Sequence, residues 1–416
     1  MAVPGIVESG DRGPGQTSRS LALSKAGVRM DFSLSEEQQM FRDMFRSFAQ
    51  KEIAKAAEHT DREERVPPEL LRKAAEQGML GALVPDVFGG AALDLLSYTL
   101  MLEEISKACM STAVVIAQHT SQATQAILDW GSDAQKEQFL PLLASGESIG
   151  AFALSEPDAG SDAKSLSTRA VRDDGDYVLS GVKSWVGNAG VAGLFIVFAA
   201  SDPKSNGRGM SAFVVEKDAP GLKVGHREPT LGVRGATFHT VYLDGVRVPA
   251  ANRLGAEGEG WQIAKNSLNH IRLALGAMGL GIAQGALDLG RAFAVERKQF
   301  GVPIATKQVI GDYFAESTIE IESLRHMIQY TAWLAEQKQP FATEASIVSV
   351  MGARTARNVT NRMLQVHGGY GFSAEYSISR LYRDARALDL IGGTSQVQRV
   401  LLARRVFENT GIKVMP

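Results

Sequence analysis

The chain reads as an α+β protein made of helices, then a small antiparallel sheet, then helices again. Three observations carry this reading. Apolar residues recur at helical spacing from Asp31 to about Gly150. Between about Ala151 and Pro249, short β-branched and aromatic segments alternate with turn-forming clusters. Helical periodicity then returns from Gly260 to about Asn409. Strands gathered between two helical blocks, rather than alternating with helices, argue against a doubly wound parallel sheet. The expected organisation is a tail over 1–29, a helical part over 30–150, a β part over 151–250 and a helical part over 251–416. No internal repeat is visible.

Residues 1–29 are rich in Gly, Ser and Pro and lack hydrophobic periodicity, so a disordered tail or an upstream start is expected, with Met30-Asp31-Phe32 as a natural beginning. A cleaved transit peptide is the alternative; Glu8, Asp11 and the missing amphipathic face speak against it. Ser35-Glu36-Glu37 starts a helix carrying Phe41, Met44, Phe45 and Phe48. Pro67-Pro68 opens a second with Leu70, Leu71 and Ala74, and Pro85–Gly90 is a loop. One long apolar helix is expected through Met101 and Ile105 into Val114–Ile116. Strands are expected at Tyr177–Leu179, Leu194–Ala199, Ala212–Val215 and Thr240–Leu243, separated by turns such as Asp173-Asp174-Gly175 and Ser205-Asn206-Gly207. In the last block, Ile321, Leu324, Ile328 and Ala332 define one face of a helix. Gly279–Gly285 superficially suggests a dinucleotide loop, but it lies inside an apolar helical run. Close helix packing is the better account.

With 416 residues, 44% hydrophobic and 22% charged, the chain has ordinary globular composition and ample core. A formal net charge of -2 gives no electrostatic case for nucleic acid or an anionic membrane as partner. No run approaches the ~18 consecutive apolar residues of a membrane span. The single cysteine, Cys109, rules out an intrachain disulfide framework and fits a reducing compartment. Seven scattered histidines offer no ligand pair at i, i+4, so no metal site is expected.

Several ordered segments resemble the signatures of the FAD-dependent acyl-CoA dehydrogenase family. They are Phe152–Asp162, Lys183-Ser184-Trp185, Glu296–Gly301, Gln365–Gly371 and Ile391–Arg399, spread across roughly Asp31 to Phe407. The resemblance implies an N-terminal helical domain, a middle antiparallel β domain and a C-terminal four-helix bundle. It also implies FAD as cofactor, an acyl-CoA or acyl-carrier thioester as substrate, electron-transfer flavoprotein as a partner and assembly as a homotetramer. A cytoplasmic location is expected, or the mitochondrial matrix if residues 1–29 are a transit peptide.

Carried over position by position, the resemblance places Ser155 on the flavin's pyrimidine edge, Trp185 against the flavin and Gly187 beside its hydride-accepting N5. Arg297 would meet the FAD pyrophosphate, with Phe300 and Gln308 on the adenine side; Gln365 and Gly369 would complete the site from a neighbouring subunit. Thr394 and Gln396 would bond the cofactor. Ser161 and Arg272 would face the substrate's pantetheine or nucleotide arm, although Arg272 would serve equally as a structural salt bridge.

Three positions depart from the family pattern. Gly392 stands where a glutamate usually removes the substrate's α-proton. Ile271 occupies the alternative position for that glutamate, and Gly187 replaces a threonine. No catalytic residue is therefore assigned at the usual place. His270, beside the alternative position, is a candidate replacement base of the kind that titrates near neutrality, but adjacent helical residues diverge by about 100°, so it is expected to face elsewhere. Asp389 reads as structural. A fixed base typically contributes about 10²–10⁴ in rate. The preferred expectation is α,β-dehydrogenation of a thioester, or its reverse, with an unusual or absent base. A base-independent acyl-CoA lyase of the desulfinase type is a second reading, although Val114 stands where such enzymes carry an arginine. A flavin-dependent oxygenase or oxidase, and a non-catalytic partner subunit, are further readings.

Overall fold

The computed structural model describes residues 32–202, 209–408, 410 and 414; the tail expected over 1–29 and the turn at Ser205-Asn206-Gly207 lie outside them. Glu36 onward forms one compact unit. Its first helical block comprises α1 (Glu36–Phe48), α2 (Ala54–Arg62), α3 (Pro68–Glu76), α4 (Leu95–Ala108), α5 (Met110–Gln118), α6 (Gln125–Trp130) and α7 (Asp133–Ala144). Pro68 sits in the first turn of α3, where a missing N–H costs nothing. Asp94 caps α4, and Ser132 with Gln135 forms a capping box on α7.

The single helix expected through Val114–Ile116 is instead two. Cys109 is extended (φ -153°, ψ 111°) and separates α4 from α5. Both helices are buried almost throughout, so the apolar pattern runs on across the break and conceals it.

The sheet has eight strands: β1 (Ile149–Ala153), β2 (Arg169–Asp173), β3 (Asp176–Gly187), β4 (Ala192–Asp202), β5 (Gly209–Glu216), β6 (Leu222–Arg227), β7 (Phe238–Val248) and β8 (Arg253–Leu254). Their order is β6-β7-β3-β2-β4-β5-β8, with β1 beside β4. Most pairings are antiparallel. β1 runs parallel to β4 along Ala192–Val197, and β2 meets β4, also in parallel, at Ala200. The expected strand cores all fall inside observed strands. β4 is apolar without alternation because both its faces are covered. Leu194, Ile196 and Phe198 join a core with Ile127 and Phe139, while Phe195, Val197 and Ala199 pack with Tyr177 and Phe213.

The last block contains α8 (Gly260–Glu296), α9 (Gln308–Glu336), α10 (Ala342–His367), α11 (Ser377–Ala385) and α12 (Ser395–Val406). α8, α9 and α10 pack on one another, α12 lies on α10, and α4 lies along α8. α8 is long and apolar enough to cross a membrane, yet its most apolar window is 78% buried within the protein, which marks a core helix. Its glycines permit this: a β-carbon at Gly279 would strike Gly352 backbone on α10, and one at Gly281 would strike Glu103 backbone on α4.

Candidate functional site

The loop after β1 is fixed to β3 by a buried ion pair. Lys183 Nζ donates to Glu156 at 2.7 Å and to Leu154 O at 3.1 Å. Glu156 also accepts from Ser167 N at 2.6 Å, Ser167 Oγ at 2.7 Å and Thr168 N at 3.0 Å. Burial works against the Glu156 carboxylate, but Lys183 and these donors prevail and hold it at about 2. Burial pushes the Lys183 ammonium down to about 8, so both groups are charged at neutral pH. Ser184 N then donates to Ser155 O at 3.0 Å, which aligns Ser155 with the strand that carries Trp185.

Trp185 sits where the β3–β7 register is interrupted, in a left-handed conformation (φ 56°) with 58% of its surface exposed. Such a backbone costs about 1–3 kcal/mol for a non-glycine residue. It turns the ring outward, 6.3 Å from the ring of Phe238.

Asn188 ties the end of β3 to α5, donating to Val115 O at 2.9 Å and to Gly150 O at 3.3 Å. Gly150 N donates to His119 Nδ1 at 2.9 Å, so the His119 proton sits on Nε2 and is donated to Leu143 O at 3.2 Å. Burial pushes this imidazole down to about 4 and keeps it neutral. His119 opens a π-helical turn, His119–Thr124, directly after α5. Gln118, the last residue of α5, is 6% exposed. A β-carbon added to Gly187 would lie 2.1 Å from Gln118 Oε1 and 2.5 Å from Nε2. Gln118 therefore fills the space that a side chain at 187 would take. Sequence reading misses Gln118, His119 and Asn188; the one visible trace is a polar Gln-His-Thr run closing an apolar helix.

The departures at Gly392 and Ile271 come together. Gly392 (φ 70°) and Gly393 (φ 97°) both occupy the left-handed region before α12. A β-carbon at Gly392 would meet Leu275 Cδ1 at 2.7 Å and Ile271 Cγ2 at 3.3 Å. The wall beside it is hydrocarbon. His270 is not part of it: its ring packs edge-on to Phe341 at 5.4 Å, and burial lowers its pKa. Asp389 accepts from Arg357 Nη1 at 2.5 Å, Arg386 Nη1 at 2.6 Å and Ser395 Oγ at 2.7 Å. Burial opposes its ionisation, but these partners hold it below its ordinary value, as an ionised brace for the loop into α12.

Arg272 is 8% exposed and bonds Asn269 Oδ1 at 3.0 Å and Gly392 O at 3.4 Å. No carboxylate pairs with it among the described residues, so the salt-bridge alternative is not what the structure contains; burial alone pushes its pKa to about 10. Gln398, fully buried beneath the loop, donates to Gly393 O at 3.2 Å. Thr394 caps α12 through Val397 N at 3.3 Å, and Gln396 is exposed in its first turn. Ser161 is exposed in the loop following β1.

The other cofactor candidates stand elsewhere in the chain, at the C-terminal ends of α8 and α10. Arg297, Gly369, Phe293, His367 and Tyr370 line a cavity of about 500 Å³. Arg297 lies over the Tyr370 ring at 5.5 Å, and Phe293 stacks on His367 at 4.4 Å. Phe300 (φ 55°) is 93% exposed, and Gln308 and Gln365 are exposed. One chain thus presents two partial sites. The first, with Ser155, Trp185 and Gly187, offers a strained exposed ring together with the buried unpartnered atoms Gln118 Oε1, Ser184 Oγ and Asn188 Oδ1. Such a surface suits a planar polar group. The second offers a cation and open glycine backbone, which suit a phosphate.

Comparison with known proteins follows the same divisions. Family models match as acyl-CoA dehydrogenase N-terminal domain over 35–147, middle domain over 151–246 and C-terminal domain over 258–407. The acryloyl-CoA reductase (NADH) of Anaerotignum propionicum is 41% identical over 382 residues, covering 91% of this chain and 97% of that protein. The solved butyryl-CoA dehydrogenase of Megasphaera elsdenii superposes with a TM-score of 0.89 at 33% identity, covering 91% of this chain and 100% of that one. A chain from the structural study of the electron transferring flavoprotein of Acidaminococcus fermentans gives a TM-score of 0.90 at 34% identity, again covering 91% and 100%.

Proposed function

The chain belongs to the acyl-CoA dehydrogenase family, and from that premise we propose that it exchanges hydride with the β-carbon of an acyl-CoA thioester without a glutamate at the α-carbon. The family is FAD-dependent, and FAD supplies the hydride acceptor. The single observation that carries the missing base is the hydrocarbon wall: Gly392, Ile271 and Leu275 meet where either glutamate would project. Asp389, three residues before Gly392, is committed to two arginines and a serine.

On this reading Trp185 and Ser155 orient the flavin, while Arg297, Gln365 and Gly369 of a neighbouring copy hold its phosphates, with Phe300 and Gln308 on the adenine side. Thr394 and Gln396 complete the cofactor contacts, and Ser161 faces the thioester's pantetheine arm. Arg272, a buried cation with no carboxylate partner among the described residues, takes an anionic part of the substrate. The α-proton exchanges with solvent. This favours a thioester whose α-hydrogen is acidic, or the reverse reaction, in which an enoyl thioester is reduced. The A. propionicum relative is named for a reduction of that kind. Electron-transfer flavoprotein is the proposed redox partner.

The test is anaerobic mixing of holo-protein with a panel of saturated acyl-CoA thioesters. The flavin should bleach, and the bleaching rate should lack a carboxylate limb between about pH 5 and 8. Tight thioester binding with no bleaching by any member would defeat the proposal. Release of sulfite from a sulfinyl thioester without flavin reduction would identify a lyase, and substrate-dependent oxygen uptake an oxygenase.

A further inference from the structure

The family resemblance sets Gly187 beside the flavin's reactive edge, where glycine brings no side chain, yet the space at that position is filled. The carboxamide of Gln118 reaches it from α5, with both terminal atoms within 2.5 Å of where a β-carbon at 187 would stand. Gln118 is buried, at 6% exposure, and its carboxamide oxygen has no partner among the described residues. An unpartnered buried amide costs about 1–3 kcal/mol, so simple space filling is better served by leucine or methionine. Two nearby donors are already committed: His119 Nε2 and Asn188 Nδ2 are bonded to backbone. Gln118 is also followed at once by a π-helical turn, a distortion often found where a helix must aim a functional side chain. The Tyr98 hydroxyl braces that turn through Thr120 Oγ1 at 2.9 Å and Ser121 Oγ at 2.7 Å.

We propose that the Gln118 carboxamide replaces the side chain missing at Gly187 and donates a hydrogen bond to N5 of bound FAD. This rests on the flavoenzyme reading above. A 180° turn of the amide exchanges its oxygen and nitrogen, so a donor is available in this position whichever way it rests in the free protein. A donor at N5 withdraws electron density from the oxidised ring and so favours the arrival of hydride there; once N5 carries hydrogen the bond must change, so the contact shifts the balance between oxidised and reduced flavin. Gln118 and Gly187 are therefore one unit, and either changes its effect when the other is changed.

The experiment compares wild-type holo-protein with Gln118→Leu and with Gln118→Ala/Gly187→Thr. The readouts are FAD stoichiometry, visible absorption and midpoint potential by equilibration with redox dyes. Gln118→Leu should retain FAD, shift the absorption bands and move the midpoint by about 30 mV or more, a tenfold change in the two-electron equilibrium. The double variant, which restores a hydroxyl at 187, should recover at least half of that shift. A Gln118→Leu holo-protein with the wild-type spectrum and midpoint overturns the proposal. So does a shifted Gln118→Leu whose potential the double variant fails to restore, since that would be a packing effect. Wild-type protein that binds no FAD defeats the flavoenzyme reading and this inference together, which separates the two failures.

Discussion

A β-carbon at Gly392 would stand 2.7 Å from Leu275 Cδ1, on a backbone with φ 70°. Introducing a glutamate therefore does more than restore a carboxylate. A left-handed non-glycine residue costs roughly 1–2 kcal/mol, and overpacking adds about 1–3 kcal/mol, although the leucine tip is free to turn. Gly392→Glu is expected to lower stability by about 2 kcal/mol in urea titration while raising bleaching by saturated thioesters about 10²–10⁴-fold. Leu275→Val removes the contacting Cδ1. The double variant should therefore be more stable than the sum of the single losses, by roughly 0.5 kcal/mol or more. Strict additivity would mean that the contact is relieved elsewhere. A Gly392→Glu protein that folds, binds FAD and gains no rate would show that the α-carbon does not lie beside this loop.

The segment from Leu154 to Thr168 and strand β3 act as one piece because Glu156 and Lys183 join them, and the joint supports both Ser155 and Trp185. Removing one partner of a buried pair leaves a charge uncompensated, at a cost of about 3–5 kcal/mol. Glu156→Gln should show that loss together with weaker FAD retention. The pH dependence follows from the depressed carboxyl. Its contribution is fully present above the ordinary carboxylate value of 4.5 and is lost as pH falls through about 2. The gap in Tm between wild type and Glu156→Gln should therefore be constant from neutrality to about pH 5 and narrow below it. A gap unchanged down to pH 3 would contradict the assignment. Sequence periodicity located the helices and strand cores because a buried face imposes a repeat along the chain. It could not locate the break at Cys109 or the π-helical turn at His119–Thr124, where residues are buried on all sides and no repeat is imposed. Gln118 is hidden for a related reason. Its meaning depends on Gly187, far along the chain, and only packing brings the end of α5 to the end of β3.

Motif order locates Trp185, Arg297 and Gly392 in the sequence, and the resemblance assigns Gln365 and Gly369 to a neighbouring subunit's site, but neither shows that Arg297 stands with Gly369. Ser155, Trp185 and Gly187 belong to β3 and the loop after β1, whereas Arg297 and Gly369 line a separate cavity at the ends of α8 and α10. Around that cavity, Phe300 is 93% exposed, Phe372 89% and Tyr370 46%. Aromatic side chains displayed to this extent beside a cation have the composition of a protein interface rather than of a monomer surface. Assembly would bury these rings and bring the arginine of one copy to the flavin phosphates of another, so cofactor retention and association should fail together. Phe372→Asp places a charge in the contact at a residue with no cofactor role, without touching Ser155, Trp185 or the core. On the proposal of a homotetramer, the expected result by light scattering is dissociation, with far-ultraviolet circular dichroism unchanged and FAD occupancy falling in step with it. Adding excess FAD to wild-type protein diluted below its association range should restore the larger species, because a ligand shared by two copies stabilises their union. A Phe372→Asp protein that remains assembled, or a monomer that retains full FAD, would show that each chain completes its own cofactor site.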